Sequence, residues 1–405
     1  MIRRLLLKFS HPVHFTYPFI TLRTLSADST SGPSELFRWS WTMVIVGRLA
    51  GHSCKNHKKW HTWPPRLLCS FYYIIHNFDH RQHNNSIESS WEKVKHGVPQ
   101  GSILGPIFFL IYINDLPQIA NRGTKILLYA DDTSIIVSSP NLENFEAQID
   151  KIFEDINNWF KINKLVLNYN KTQYLQFNTK KSKGYDLKLN YQGNYIKSST
   201  NTKFLGMIID DSLLWKAHIG QIMSKLNTAC FIIWTIQGMM SEEILRMVYY
   251  FAYVHSIMSY GIIFWGNQPH SEKIFKIQKR VIRIITNSRA KGSCRELFKK
   301  LEILPLYSQY IFSLSIFVIK NKHLFSTNYQ IHSVHTRFKT NLHPYIANLT
   351  KFQKGVYYSG IKIFNNLPHN IKNLANETKL FQNALKRFLL SDSFYNSEKY
   401  FNYQR

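Results

Sequence analysis

The chain has 405 residues, a length that corresponds to about two or three domains. Hydrophobic residues make up 44% of it and charged residues 19%, which excludes intrinsic disorder or a collagen-like repeat as a description of the whole. The net charge of +27 favours a polyanionic partner, either nucleic acid or an acidic membrane surface. Four cysteines are too few for a disulfide scaffold, so we expect a reduced, intracellular protein.

The N-terminal 86 residues show no sustained periodicity, and we predict an irregular segment unrelated to the rest of the chain. Residues 1–27 hold four basic side chains and no acid, which is typical of a mitochondrial presequence but also of the start of any basic protein. Localisation therefore stays open between a nuclear, a cytoplasmic and a mitochondrial site.

Hydrophobic patterns predict the elements that follow. The apolar run 103–113 predicts a buried helix, and runs 126–130 and 134–137 predict a β-hairpin. Apolar side chains recur at helical spacing over 142–160, which predicts an amphipathic helix. The alternation over 165–177 predicts strands, the segment 204–210 predicts a short strand with a glycine bend, and the chain beyond residue 215 is mainly helical in pattern.

Two apolar stretches raise the question of a membrane span. Residues 103–113 are too few to cross a bilayer and contain Pro106. Residues 248–266 are long enough but carry many polar side chains, so we predict a buried helix plus a strand there and no membrane partner.

A strongly basic segment lies at residues 271–300, where ten Lys or Arg stand against two Glu. On a helix from about Glu272, one face carries cations and the other isoleucines and a valine. Two interpretations stay open: a solvated face that covers a core, or a surface that contacts phosphates. The cations are Lys273, Lys276, Arg280 and Arg283.

Two adjacent acids, Asp131 and Asp132, lie between the predicted hairpin strands. Like charges this close repel each other, and the flanking apolar strands lower the local dielectric constant. A bound divalent metal relieves the repulsion, and oxygen ligands of this kind suit Mg²⁺. The alternative is an ordinary turn on a solvent-facing hairpin.

Ordered motifs accompany the acidic pair. They are GVPQGSILGP at 97–106, YINDL at 112–116, YADDT at 129–133, KLVLNYNKT at 164–172 and FLG at 204–206. GVPQGSILGP resembles motif B of reverse transcriptases and YADDT resembles motif C. KLVLNYNKT resembles motif D, and FLG resembles the primer-grip motif E. The SILGP extension and the YINDL run resemble non-LTR (LINE-type, jockey-like) retrotransposon enzymes more than group II intron maturases or telomerase. The resemblance covers about residues 86–405.

The resemblance implies an α+β fold: a partial right-hand polymerase palm (an antiparallel sheet with helices) at 87–215, then a mainly helical, basic, thumb-like region at 216–405. It also implies RNA-directed DNA polymerase chemistry with Mg²⁺ as cofactor. The partners would be an RNA template, a DNA primer and deoxynucleoside triphosphates, with no obvious protein partner.

The resemblance assigns roles residue by residue. Asp131 would be a catalytic metal ligand with Asp132 beside it, and Lys171 a proton donor to departing pyrophosphate. Nucleotide and template would contact Gly97, Pro99, Gln100, Gly101 and Tyr129. The primer end would be held by Phe204, Leu205 and Gly206, and the nucleic-acid backbone by the four cations of 271–300.

One expected feature is missing. The family has a third carboxylate on a palm strand upstream of motif B, yet the only aspartates before Asp115 are Asp28 and Asp79, neither in a suitable context. Whether Asp28, Glu35 or Asp79 replaces it stays open. We therefore expect an N-terminally truncated retrotransposon product with little or no polymerase activity.

Two alternatives remain beside that reading. One is a non-enzymatic nucleic-acid-binding remnant of the element. The other is a misfolded or unexpressed product, because a palm sheet without its first catalytic strand would leave an unpaired edge.

Overall fold

The computed structural model describes part of the chain, and that part divides into two compact units. The described residues are 3–10, 79–80, 83–84, 87–88, 92–93, 104–121, 123–130, 132–139, 142–168, 170–177, 187–191, 193–289, 292–333 and 338–403. The first unit comprises residues 1–2, 7–172 and 188–196, and the second comprises 3–6, 173–187 and 197–405. Helices and small sheets occur together, so the fold is α+β, as predicted. The predicted domain boundaries at 86/87 and 215/216 stay predictions.

Short strands near the N-terminus precede the main elements. β1 (Arg3–Ser10) is followed by β2 (Asp79–His80), β3 (His83–Asn84), β4 (Ile87–Glu88) and β5 (Glu92–Lys93). β2 pairs with β5 and β3 pairs with β4, both antiparallel.

The first helix of the first unit, α1 (Gly105–Tyr112), has Pro106 in its first turn. It confirms the predicted helix, but the prediction that this helix is buried is wrong, because Gly105 is its only buried residue and Leu110 and Tyr112 are exposed. Proline is well tolerated there because the first N–H groups of a helix have no partner within it. A 3₁₀-helix (Leu116–Ile119) follows, anchored by the buried side chains of Ile113 and Leu116.

The hairpin of β6 (Thr124–Tyr129) and β7 (Asp132–Ser139) confirms the prediction from the two apolar runs. Its strands are paired in register from Thr124↔Val137 to Tyr129↔Asp132. Within this unit β7 lies between β6 and β1. The expected unpaired edge beside the hairpin is therefore not found, because β1 borders β7.

Helix α2 (Leu142–Ile162) packs against β7 through its apolar face, which includes Phe145, Ile149 and Phe160. It ends in a Schellman-type turn: Lys164 has φ 52°, and the N–H of Leu165 donates to the carbonyl of Phe160 at 2.8 Å. β9 (Asn190–Tyr191) and β10 (Asn194–Tyr195) form a short antiparallel pair in the same unit.

The second unit begins with strands. β8 (Gln173–Phe177) pairs in parallel with β11 (Lys197–Ser198), and β8 lies between β11 and β1. The predicted strands over 165–177 are thus confirmed only for 173–177, since residues 165–168 and 170–172 lie in loop and turn. β12 (Asn201–Phe204) and β13 (Met207–Asp210) form an antiparallel hairpin where a single bent strand was predicted.

From residue 216 onward the unit is helical, as predicted. The longer helices are α3 (Lys216–Ile236), α7 (Ser271–Ile285), α9 (Leu306–Lys320), α12 (Val356–Asn365) and α14 (Thr378–Asp392). The shorter ones are α4 (Glu242–Met247), a π-helix (Val248–Tyr253), α5 (Val254–Ser259), α6 (Ile262–Trp265), α8 (Arg295–Lys300), a 3₁₀-helix (Lys322–Leu324), α10 (Asn328–His332), α11 (Thr350–Gln353), α13 (His369–Lys372) and α15 (Ser397–Phe401). Most of these helices share one hydrophobic core, with Trp265, Phe298 and Phe381 fully buried. A smaller cluster consists of Val318, Phe325, Leu342 and Ile361.

The strand predicted within residues 248–266 is wrong, because this stretch is the π-helix followed by α5 and α6. Its buried side chains include Tyr249, Val254 and Met258, which pack in the helical core. Across the described residues, no helix combines the length and apolar character needed to cross a membrane.

Candidate functional site

The hairpin β6–β7 places the acidic motif at its tip. Tyr129 and Asp132 form the last cross-strand pair, so only positions 130 and 131 lie in the loop. Ala130 has φ 49°, the left-handed conformation that tight two-residue hairpin loops require. Asp131 lies outside the described residues.

Burial along β7 positions Asp132 at the boundary of the core. Thr133, Ser134 and Ile135 are buried, whereas Asp132 is half-buried and Tyr129 across from it is 64% exposed. The hairpin therefore carries a carboxylate at the point where a packed strand reaches solvent.

Other predicted nucleotide- and template-binding residues lie outside the described part of the chain. These are Gly97, Pro99, Gln100 and Gly101. Of the candidate third carboxylates, Asp28 and Glu35 also lie outside it, while Asp79 begins β2.

Lys171 lies in a turn that leads into β8. Its backbone N–H donates to the carbonyl and the side-chain Oδ1 of Asn168, at 3.2 and 3.3 Å. The hydroxyl of Thr172 donates to the same carbonyl at 2.8 Å. This turn leaves the lysine side chain exposed.

The predicted primer-grip residues form the tip of the β12–β13 hairpin. Phe204 ends β12, and the loop consists of Leu205 and Gly206, with φ 45° and 82°. Positive φ at both positions matches the twist of the flanking strands, which explains the glycine in this motif.

Residues distant in sequence hold this hairpin, and sequence reasoning missed them. The Tyr260 hydroxyl donates to the carbonyl of Leu205 in the loop. The indole N–H of Trp265 donates to the carbonyl of Tyr260 at 3.1 Å. At Gly261 a side chain would meet the sulfur of Met207, so glycine lets the two segments approach.

His218 of α3 also contacts this hairpin, at strand β13. The N–H of Ile208 donates to Nδ1 of His218 at 3.4 Å, which requires a neutral imidazole protonated on Nε2. The ring lies edge-on to Trp215 and Trp265 and is 3% exposed. Burial, with a smaller effect of the charge of Lys225, lowers the pKa of His218 below 6.5.

The predicted basic face is found on α7. Lys273, Lys276 and Arg280 are exposed, while Ile274 and Val281 on the opposite side are buried, which confirms the amphipathic helix. Arg283 differs from the other three cations. It is half-buried, and its Nη2 and Nε donate to the carbonyl of Gly292 at 2.9 and 3.3 Å.

A metal at the acidic hairpin is compatible with its donor chemistry. Carboxylate oxygens at a solvent-facing tip are hard ligands of the type that Mg²⁺ prefers. Within the described part of the chain, no group of three or more His, Cys, Asp or Glu side chains is placed to hold a metal ion. Of the two predicted metal ligands, Asp132 is the one that lies within the described residues, and its role as a ligand stays a prediction.

Part of the chain matches a known protein family. Residues 52–209 match the family model described as reverse transcriptase (RNA-dependent DNA polymerase). The match begins upstream of the predicted boundary at residue 87 and includes the hairpin with Asp132, Lys171 and the Phe204–Gly206 motif. It confirms the resemblance to reverse transcriptases that the ordered motifs predicted.

The chain is also similar to curated RNA-directed DNA polymerases of mobile elements. The chain is 23% identical over 258 residues to the RNA-directed DNA polymerase from mobile element jockey of Drosophila melanogaster, which covers 60% of this chain and 28% of the relative. It is 27% identical over 208 residues to the probable polymerase from transposon BS of the same fly, and 24% identical over 209 residues to that from transposon X-element. These alignments cover 47% and 50% of this chain and 22% and 23% of the relatives. The resemblance to non-LTR retrotransposon enzymes is confirmed, and the chain spans about a quarter of the length of these relatives.

Proposed function

We propose that the chain is the palm and thumb part of a non-LTR retrotransposon reverse transcriptase, which binds an RNA template, a DNA primer and deoxynucleoside triphosphates. The observation that carries the proposal is the YADDT hairpin, closed by the Tyr129–Asp132 pair within a region that matches the reverse transcriptase family.

In this proposal Asp131 and Asp132 would hold Mg²⁺. When bound, the metal would stabilise charge on the transferred phosphoryl group. The other residues bind and orient: Tyr129 lies beside the acids, and Lys171 offers an exposed cation to phosphate oxygens. These roles follow from the motif positions together with the exposure of both side chains.

The β12–β13 hairpin would hold the primer end. Its loop of Leu205 and Gly206 presents backbone in a fixed conformation, because Tyr260 bonds the loop and His218 bonds the strand that follows it. A support of this kind reduces the motion of bound groups, which is what positioning a reactive end requires.

We also propose that this chain has little or no polymerase activity. Two acids on one hairpin cannot position metal ions for in-line attack without a carboxylate facing them. The aspartates upstream of Asp115 are Asp28 and Asp79, neither in the sequence context of the family's third carboxylate, and this supports the proposal. The second candidate function is nucleic-acid binding without catalysis, which the exposed cations of α7 favour.

Primer extension separates these functions. The full chain is incubated with Mg²⁺, an oligo(dT)-primed poly(rA) template and labelled dTTP, beside an Asp131→Ala variant. We expect binding of the template–primer, measured by fluorescence anisotropy, and no incorporation above that of the variant.

Template-dependent incorporation that disappears in Asp131→Ala would overturn the proposed loss of catalysis. Failure to bind the template–primer at low salt would instead overturn both candidate functions.

A further inference from the structure

Two aromatic rings lie on the solvent side of α3. Phe231 is 63% exposed and Trp234 60%, and their ring centroids are 6.0 Å apart with planes tilted by 40°. The other side of the helix is buried, through Leu226 and Ile233 among others. The exposed side thus presents two adjacent π-faces to solvent.

Helix α7 lies beside this part of α3 and runs in the same direction. Burial raises the pKa of the Cys230 thiol and the charge of Arg280 opposes that rise, so Arg280 lies near Cys230. The amide of Gln237 donates to Oδ1 of Asn287 at 3.2 Å. Each pair is fifty positions apart. Because the two helices pack against each other and Gln237 and Asn287 both lie just past their C-terminal ends, the helices lie side by side in this register.

The ring of Trp234 belongs to the edge of α3 that borders α7. Cys230, Trp234 and Gln237 are spaced i, i+4 and i+7, so they share one side of the helix. Cys230 lies near Arg280, Gln237 bonds Asn287 just past the end of α7, and Trp234 lies between these two positions. The exposed indole is therefore next to the edge of α7 that carries Arg280.

Two cations occupy that edge of α7. Lys273 and Arg280 are seven residues apart, two helical turns, and both are exposed. Within the described part of the chain, neither forms an ion pair, whereas Lys276 pairs with Glu272 at 3.0 Å. Exposed rings and available positive charge thus meet at the α3–α7 seam.

We propose that this seam binds single-stranded nucleic acid, with bases stacked on Phe231 and Trp234 and phosphates along Lys273 and Arg280. Sites for single strands combine a basic track with aromatic rings, since every base has a π-face. The inference rests on the proposed function in so far as the chain binds nucleic acid, and it needs no polymerisation.

Charge favours nucleic acid over a protein occupant. Residues 271–300 carry eight more basic than acidic side chains, and the whole chain carries +27. Two copies of so basic a chain repel each other, whereas a phosphate backbone is attracted and releases counterions on binding.

The test compares three fluorescent ligands of equal length, about 20 nucleotides: an unstructured single strand, the same strand without bases, and a duplex. The double variant Phe231→Ala/Trp234→Ala should bind the single strand at least about 30-fold more weakly, the loss expected when stacking on two rings is removed. It should bind the single strand and the abasic strand alike. Affinity for the duplex should change less than about twofold, because phosphate contacts remain.

Matched variants keep the result interpretable. Phe251→Ala removes a ring that is 83% exposed on the π-helix and should leave every affinity unchanged. Trp234→Phe keeps a π-face and should retain most of the single-strand affinity. If the double variant has an altered circular dichroism spectrum or melting temperature, the single variant Phe231→Ala replaces it in the comparison.

Unchanged single-strand affinity in the double variant would overturn the inference, and so would an equal loss for all three ligands. Self-association that is lost in the double variant while single-strand binding persists would assign the rings to a protein interface. If the wild-type protein binds the template–primer but binds the normal and the abasic single strand equally well, this inference alone is overturned. If the protein binds the single strand through the two rings but does not bind the template–primer, only the proposed function is overturned.

Discussion

His218 is a buried histidine whose neutral form is part of the fold. Its Nδ1 accepts the N–H of Ile208, and its ring lies between Trp215 and Trp265. A proton on Nδ1 would remove the acceptor and place a charge in a site of low dielectric constant. Burial, and to a smaller extent the charge of Lys386, also lowers the pKa of His255 below 6.5.

These histidines predict a pH-dependent stability. Because their pKa values are lowered on folding, the unfolded chain binds more protons below about pH 6.5 than the folded chain does. Their contribution is fully present above pH 6.5 and is lost as the pH falls below it. We expect the melting temperature, followed by circular dichroism, to fall between pH 7.5 and pH 5.5.

A substitution of His218 isolates its contribution to the pH-dependent stability. His218→Asn keeps an oxygen acceptor and cannot be protonated, so its melting temperature should fall less over the same pH range. The control is His323→Asn, at an exposed position of the 3₁₀-helix Lys322–Leu324. Its melting temperature should fall as far as that of the wild type. An identical fall in His218→Asn would contradict the role given to this histidine.

The residues of the two hairpins were predictable to different degrees. Tyr129 and Asp132 could be placed because apolar strands and an acidic turn are local signals. His218 and Tyr260 could not, because their contacts to the β12–β13 hairpin cross ten and fifty-five positions. No local pattern marks a side chain whose partner is a distant backbone group.

At the scale of elements, the π-helix explains why the strand predicted within residues 248–266 is wrong. Tyr249 and Val254, both fully buried, are five residues apart, while Val254, Met258 and Ile262 follow at intervals of four. A π-turn inserts one residue, so the buried stripe changes phase where the π-helix meets α5. A search for a constant period of 3.6 residues cannot follow such a change.

Gln278 joins this π-helix to the segment between α8 and α9. Its Nε2 donates to the hydroxyl of Tyr249 at 2.9 Å and to the carbonyl of Leu304 at 3.0 Å. Its Oε1 accepts the N–H of Leu306 at 2.9 Å. The side chain is fully buried, so every polar atom of its amide is satisfied by protein groups.

We predict that Gln278→Leu destabilises the second unit by about 2–4 kcal/mol, because it leaves three buried polar partners without a bond. For a unit of this size the melting temperature should fall by roughly 5–15 °C, measured by scanning calorimetry. Gln237→Leu, which removes one exposed hydrogen bond to Asn287, is the matched control and should change the melting temperature by about 2 °C or less. A similar small change in Gln278→Leu would show that the network does not support the fold.

For the whole molecule, the charge of +27 overstates the cations available to a ligand. Arg246 pairs with Glu302 at 2.6 Å, and Lys300 pairs with Glu242 at 2.7 Å. Arg283 is used to hold the carbonyl of Gly292. The sign of the charge and the basic stripe of α7 were predictable from the sequence, but the assignment of individual cations to structural contacts depends on tertiary packing.

The remaining cations predict a steep dependence of binding on salt. If about six phosphates are contacted, affinity for a template–primer duplex should fall about a thousandfold between 50 and 200 mM salt. Replacing Lys273 or Arg280 by Ala should reduce the slope of log affinity against log salt by about one contact each, measured by fluorescence anisotropy. Lys379→Ala, at an exposed position of α14, is the control and should leave the slope unchanged. Affinity that hardly varies with salt would mean that the positive charge does not contact phosphates, and the nucleic-acid interface on α7 would have to be abandoned.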